Sequence, residues 1–158
     1  MLNAIGQLLL LVALMAPPPG ALAADSIIAK ADVERIFGMR KADWEAYAPR
    51  IADSKWKVRL RQMDTGTGVM AFDPSTGMGL SVQPLYVDEN SPPTMLVVGS
   101  FYPLGKMPAN LATSQKDIEQ EAQRDLGQLY RVSARYVKMP PSWEGIELTI
   151  MRSDNAVK

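Results

Sequence analysis

The hydrophobic pattern of the chain switches between two periods. In "DSIIAKADVERIF", Ala29, Val33, Ile36 and Phe37 recur at helical spacing and predict a helix with one apolar face. Asp25 or Ser26 is placed to cap it, and Gly38 stands where a left-handed C-cap belongs. A second helix is predicted in "KADWEAYAPRIAD", with Asp43 as cap and Trp44, Tyr47, Ala48 and Ile51 along one side. Pro49 removes the hydrogen bond to Glu45, so this helix is short or kinked.

Alternation then takes over. In "KWKVRLRQM", Trp56, Val58 and Leu60 interleave with Lys55, Lys57, Arg59 and Arg61, the signature of a half-buried strand. "VMAF" and "MGLSVQPLYV" read as two more strands, with Pro84 pushing the end of the second to an edge or a bulge. "TMLVVGSFY" is the most apolar strand and belongs at the centre of a sheet, and "PLGKMPANLA" is a long loop. "TSQKDIEQEAQRDLGQL" is the clearest helix: Thr113 or Ser114 caps it, Asp117 completes a capping box, and Gly127 marks its end. Ile118, Ala122, Leu126 and Leu129 give it a buried face. Two strands close the chain, one with Tyr130, Val132, Ala134 and Tyr136 on one side, the other with Ile146, Leu148 and Ile150 facing in and Glu147 and Thr149 facing out.

This order predicts an α+β fold. It has a mostly antiparallel sheet of five to six strands, with the two N-terminal helices and the later helix packed on one face. The other face is left to water or to a partner. Residues 24–152 read as one such domain, large enough to bury a core without staples, and 153–158 as a fraying tail.

The first 23 residues read differently. No charged side chain precedes Asp25, the apolar run Leu8 to Ala16 ends in Pro17, Pro18 and Pro19, and Ala21-Leu22-Ala23 gives a small-x-small site. That layout is a secretory signal peptide cut near Ala23. The rival reading is an uncleaved anchor, but a spanning helix needs about 20 apolar residues, so no stable membrane span is expected after cleavage. The chain has no cysteine, which excludes disulfides and a lipid-modified cut site and suits the periplasm of a Gram-negative bacterium.

Composition narrows the chemistry. There is no histidine, so a Ser-His-Asp triad, a Cys-His pair and a histidine-based zinc or haem site are impossible. Lys and Arg number 17 against 17 Asp and Glu, without the basic excess of a nucleic-acid binder. No metal and no cofactor is expected. Met63, Met70 and Met78 flank two turns, yet no Met-x-Met or Met-x-x-Met cluster marks a copper site.

"MDTGTGVMAFDPSTGMGLSV" holds the remaining motif. Asp64-Thr65-Gly66 is the triplet that carries the catalytic carboxylate in aspartic proteases, and Val97-Val98-Gly99 resembles a second short stretch of the retroviral type. The excursion from Gly68 to Asp73 is too short for a flap. Neither "GTG" nor "GMG" has the lysine or the following helix of a phosphate-binding loop. Two hairpin turns account for every residue: Asp opens each, Gly supplies positive φ, and Pro74 fixes φ in the second. No catalytic residue is therefore assigned.

Candidate binding residues are Arg59, Arg61, Arg131 and Arg135 on strand faces, forming a positive stripe if their strands are adjacent, with Tyr102 and Trp143 as apolar anchors in loops. The competing reading of the basic face is cross-strand pairing with Glu144 and Glu147. The expectation is a small exported binding or accessory protein whose partner is an anionic envelope component or a periplasmic protein. An enzyme using a carboxylate pair is one alternative, with Asp64 and Asp73 or Glu144 and Glu147 as candidates. An inhibitory or structural protein that docks on another periplasmic protein is the other. Oligomeric state is not readable from the sequence.

Overall fold

The computed structural model describes residues 28–50, 57–63, 66–109, 111, 114–139 and 141–153, with residues 50, 57–63 and 66 described through their backbone alone. The expected leader, Asp25, Ser26, Ile51, Lys55, Trp56, Asp64, Thr65, Thr113 and residues 154–158 lie outside the described residues.

The fold is α+β. Helices α1 (Lys30–Phe37) and α2 (Lys41–Tyr47) precede strands β1 (Lys57–Met63), β2 (Gly66–Phe72), β3 (Gly79–Leu85) and β4 (Met95–Pro103). Helix α3 (Gln115–Leu126) then leads to β5 (Tyr130–Met139) and β6 (Trp143–Arg152). The strands form one six-stranded sheet in the order β1-β2-β3-β4-β6-β5, and every neighbouring pair is antiparallel. The apolar β4 is central, as its composition predicts.

The core lies between one sheet face and the helices. Val33, Ile36 and Phe37 of α1, Trp44 of α2 and Ile118, Ala122 and Leu126 of α3 meet Val69, Ala71, Leu80, Val82, Leu96, Val98 and the inward residues of β5 and β6. Trp44 is fully buried, and its indole N–H donates to the Thr67 carbonyl at 2.6 Å. Thr67 lies beyond Val69, the last residue of β2 paired with β3, so the indole meets the sheet where two strands part. The same parting accommodates Pro84, which pairs with Leu96 but has no partner on the β2 side. A proline needs such a local edge because it has no N–H to give.

Several local expectations change. Ala29 is the N-cap of α1 rather than part of its face, and Gly38 closes that helix at φ −91°, in the right-handed region. Asp43 sits in the first turn of α2 and accepts the Arg40 N–H at 3.4 Å, while Arg40 holds the cap position. Ser114 caps α3, with its hydroxyl on the Asp117 carboxylate. Gly127 ends α3 at φ 82°, so Leu129 leaves the helix face and is 72% exposed. Tyr136 lies beyond the start of α3 and is exposed rather than packed inward.

Helix α3 does more than cover the core. It runs antiparallel to β5 and accepts the edge strand's outward N–H groups. Val132 donates to Gln123 Oε1 at 3.0 Å, Ala134 to Glu119 Oε2 at 2.9 Å and Tyr136 to Gln115 Oε1 at 3.2 Å. Four helical residues rise about 6 Å and two strand residues about 6.7 Å, so a spacing of four on the helix matches a spacing of two on the strand. An edge that would otherwise recruit another chain is closed by side chains.

Gln123 also donates to the Gly127 and Tyr130 carbonyls at 2.9 and 2.8 Å, which ties the turn between α3 and β5. Gln123→Ala is expected to cost about 1–3 kcal/mol, because part-buried backbone groups lose their partners. Thermal unfolding checks this, and light scattering at rising concentration checks for edge-to-edge association. An unchanged melting temperature would mean that water replaces those bonds without cost.

Candidate functional site

The opening turn motifs resolve first. Gly77 has φ 74°, and Asp73 organises its own turn. Its carboxylate accepts the Ser75 N–H at 2.9 Å, the Ser75 hydroxyl at 2.6 Å and the Thr76 hydroxyl at 2.8 Å. The Ser75 bonds hold its pKa below the usual carboxylate value. An acid with its oxygens so occupied is a turn former and not one member of a proton-sharing pair. Met63 and Gly66 are paired where β1 and β2 meet, while Asp64 and Thr65 lie outside the described residues.

Glu144 and Glu147 are separated by the pleat of β6. Glu144 falls on the helix side, where it accepts the Tyr136 hydroxyl at 2.6 Å and the Gly105 N–H at 2.7 Å. These donors, the tyrosine first, lower its pKa, and the same bond raises that of Tyr136. Glu147 falls on the opposite face, so the two carboxylates do not converge on one cleft. Glu144 thus fastens the turn after β4 to the sheet.

The sheet face away from the helices carries the more interesting surface. Its register sets side chains in rows. Gln83, Val97, Thr149 and Ser133 form one row, and Met70, Ser81, Gly99, Glu147 and Arg135 form the next. A third row holds Phe72, Gly79, Phe101, Gly145 and Val137, and a fourth holds Pro103, Trp143 and Met139.

Phe101 is only 4% exposed although no helix of the described residues covers it. Its ring occupies the space over two glycines. A Cβ on Gly99 would lie 2.6 Å from ring atoms Cε2 and Cζ, and one on Gly145 would lie 2.8 Å from Cδ1. Trp143 uses Gly79 in the same way, with Cζ3 3.0 Å from the position of a Cβ there, and meets Phe72 edge-on at 5.5 Å. Beside this aromatic group lies a trough of about 150 Å³ lined by Gly68, Val69, Met70, Ser81, Gln83, Phe101, Met139 and Glu147.

The sequence-predicted site residues scatter over this frame. Strands β1 and β5 stand at opposite edges with four strands between them, so Arg59 and Arg61 do not form a continuous stripe with Arg131 and Arg135. By register Arg59 is the partner of Met70 and Arg61 of Gly68. Arg135 is paired with Glu147, its Nη2 and Nε lying 2.5 and 2.6 Å from Oε1, the cross-strand contact anticipated for it. Arg131 is exposed opposite Met151. Tyr102 and Trp143 belong to strands rather than loops and lie on opposite faces. Tyr102 packs against the core on the helix side, while Trp143 is half-buried on the open face.

Sequence reasoning missed the trough and its floor. The available signal was glycine inside alternating strands, at Gly79, Gly99 and Gly145, a mark of close approach by another group. Among the described residues no group of three acidic side chains is arranged to hold a metal ion. No helix of the described residues is long and apolar enough to cross a membrane. No protein-family model, curated protein or solved structure matches the chain.

The two glycines under Phe101 should respond unequally to alanine. At Gly145 the new Cβ would lie 2.2 Å from the Ser100 carbonyl oxygen, which is backbone, and Gly145→Ala is expected to cost about 3 kcal/mol or more. At Gly99 the obstacles are the Phe101 ring and the Ser81 hydroxyl, which can shift, and the cost should be nearer 1 kcal/mol. Denaturant titration of both variants distinguishes them. Equal losses would mean that the sheet moves as readily as the ring.

Proposed function

We propose that this chain is exported and acts as a non-catalytic binding module whose site is the open face of its sheet. The observation that carries this reading is the combination of a half-buried apolar centre and a trough on the face that no helix of the described residues covers. A sheet needs only one covered face to fold, so apolar side chains retained on the other are available for an interface. The Arg135–Glu147 pair, whose carboxylate lines the trough, supplies a polar rim. The leader-like first 23 residues and the lack of cysteine support export to the periplasm.

Two measurements test this. The chain should be recovered from the periplasmic fraction with an intact mass corresponding to a start at Ala24, and retention in the cytoplasm at the unprocessed mass would sink the export reading. Val97→Asp, in the middle of the open face, should abolish capture of envelope components, while Lys116→Glu on the outside of α3 should not. Both variants must first unfold cooperatively near the parent temperature. Equal capture by all three would remove the open face as the site.

A further inference from the structure

The chain has no cysteine, so methionine thioethers are its only sulfur. Their placement is uneven. Met39 and Met107 pack against the core, and Met78 lies in the connection between β2 and β3. Met70, Met95, Met139 and Met151 all stand at open-face register positions: Met70 opposite Ser81, Met95 opposite Met151, and Met139 opposite Trp143. An uncovered antiparallel face ordinarily carries polar side chains, and methionine is not among the residues that favour strands. Here an unbranched, adaptable and oxidisable apolar residue occupies those positions instead.

Met70 differs from the other three. It is 41% exposed, the one methionine among the exposed large apolar side chains of the described residues. It also lines the trough together with Ser81, Phe101 and Met139. This side chain therefore meets both bulk water and the apolar surface on which the proposed binding depends. One added oxygen there would turn a flexible apolar group into a polar one without disturbing the core. The hydroxyl of Ser81, its cross-strand partner, is a donor for that oxygen.

We propose, building on the open-face reading, that Met70 is a site of oxidation by peroxides and that its sulfoxide turns off apolar binding at the open face. The sulfur lone pair attacks one oxygen of hydrogen peroxide. An S–O bond forms as the O–O bond breaks, and sulfur gives up two electrons to the peroxide. The departing hydroxide takes the proton of the transferred hydroxyl, which leaves sulfoxide and water. An apolar group entering the trough would then strip water from the sulfoxide without offering it a hydrogen bond, and this opposes binding.

The purified chain is treated with graded hydrogen peroxide, and sulfoxide at each methionine is followed by peptide mass mapping. Met70 is expected to oxidise about fivefold faster than Met39 and Met107, and the difference should vanish in denaturant. Fluorescence of anilinonaphthalenesulfonate, which rises on apolar surface, reads the state of the face. At the dose that adds a single oxygen it should fall by about half, while the unfolding temperature stays that of the untreated chain. A Met70→Leu chain should keep its own untreated fluorescence after peroxide. Met70→Gln, which carries a polar end at similar length, should show the low signal without peroxide. The oxidation rates require no variant, so they decide even if either substitution prevents folding. Equal rates at Met70, Met39 and Met107 in the folded chain would overturn the proposal. So would selectivity that persists in denaturant, or a dye signal unchanged by Met70 oxidation. If Val97→Asp abolishes dye binding in those cases, the open face remains a site without this switch. A dye signal indifferent to both Met70 oxidation and Val97→Asp would remove the face itself.

Discussion

The ring of Phe101 rests where Gly99 and Gly145 have no side chains, and the character of the open sheet face follows from that contact. A phenyl group on an uncovered face would ordinarily stand in water. Here the absence of two Cβ atoms lets it sink to 4% exposure without a helix of the described residues above it. Burying a phenylalanine is favourable by about 1.5–3 kcal/mol, so the glycines offset part of their own entropic cost. The sunken ring also forms one wall of the trough. The stability of the face and its concavity thus have one cause.

The covered face solves a different problem. Its two helical groups approach separately, α1 and α2 from the N-terminus and α3 from the connection between β4 and β5. Trp44 joins the first group to β2 through the Thr67 carbonyl. Gln115, Glu119 and Gln123 join the second to β5 through its outward N–H groups. Phe37 and Tyr130, with ring centres 5.4 Å apart, link α1 to the start of β5. In the first two cases a polar side chain satisfies backbone groups of the sheet beside the apolar contact. Closing the β5 edge leaves that strand without outward N–H groups to offer another chain at Val132, Ala134 and Tyr136.

Charge is distributed with the same economy. Net charge is zero, yet the basic residues of β1 and β5 stand at the margins of one face. Read along the chain, they suggest a single stripe. The sheet order separates them by four strands and turns a stripe into a frame. Arg135, the most salient arginine of β5, is engaged by Glu147 and contributes orientation more than free charge.

Residue pattern alone determined the elements and their class. Period in hydrophobicity is a local property, so the helices at Val33–Phe37 and Ile118–Leu126, the central β4 and the turn at Asp73-Pro74 were legible. Excluded chemistry was equally legible, since a chain without histidine cannot host histidine-dependent catalysis. Tertiary structure alone decided strand order, and with it which basic residues share a face and which never meet. It also placed Tyr102 and Trp143 on opposite sides and opened the trough at glycines that are unremarkable in sequence. These depend on pairings between residues far apart along the chain, whose free energy lies in contacts that no local pattern encodes.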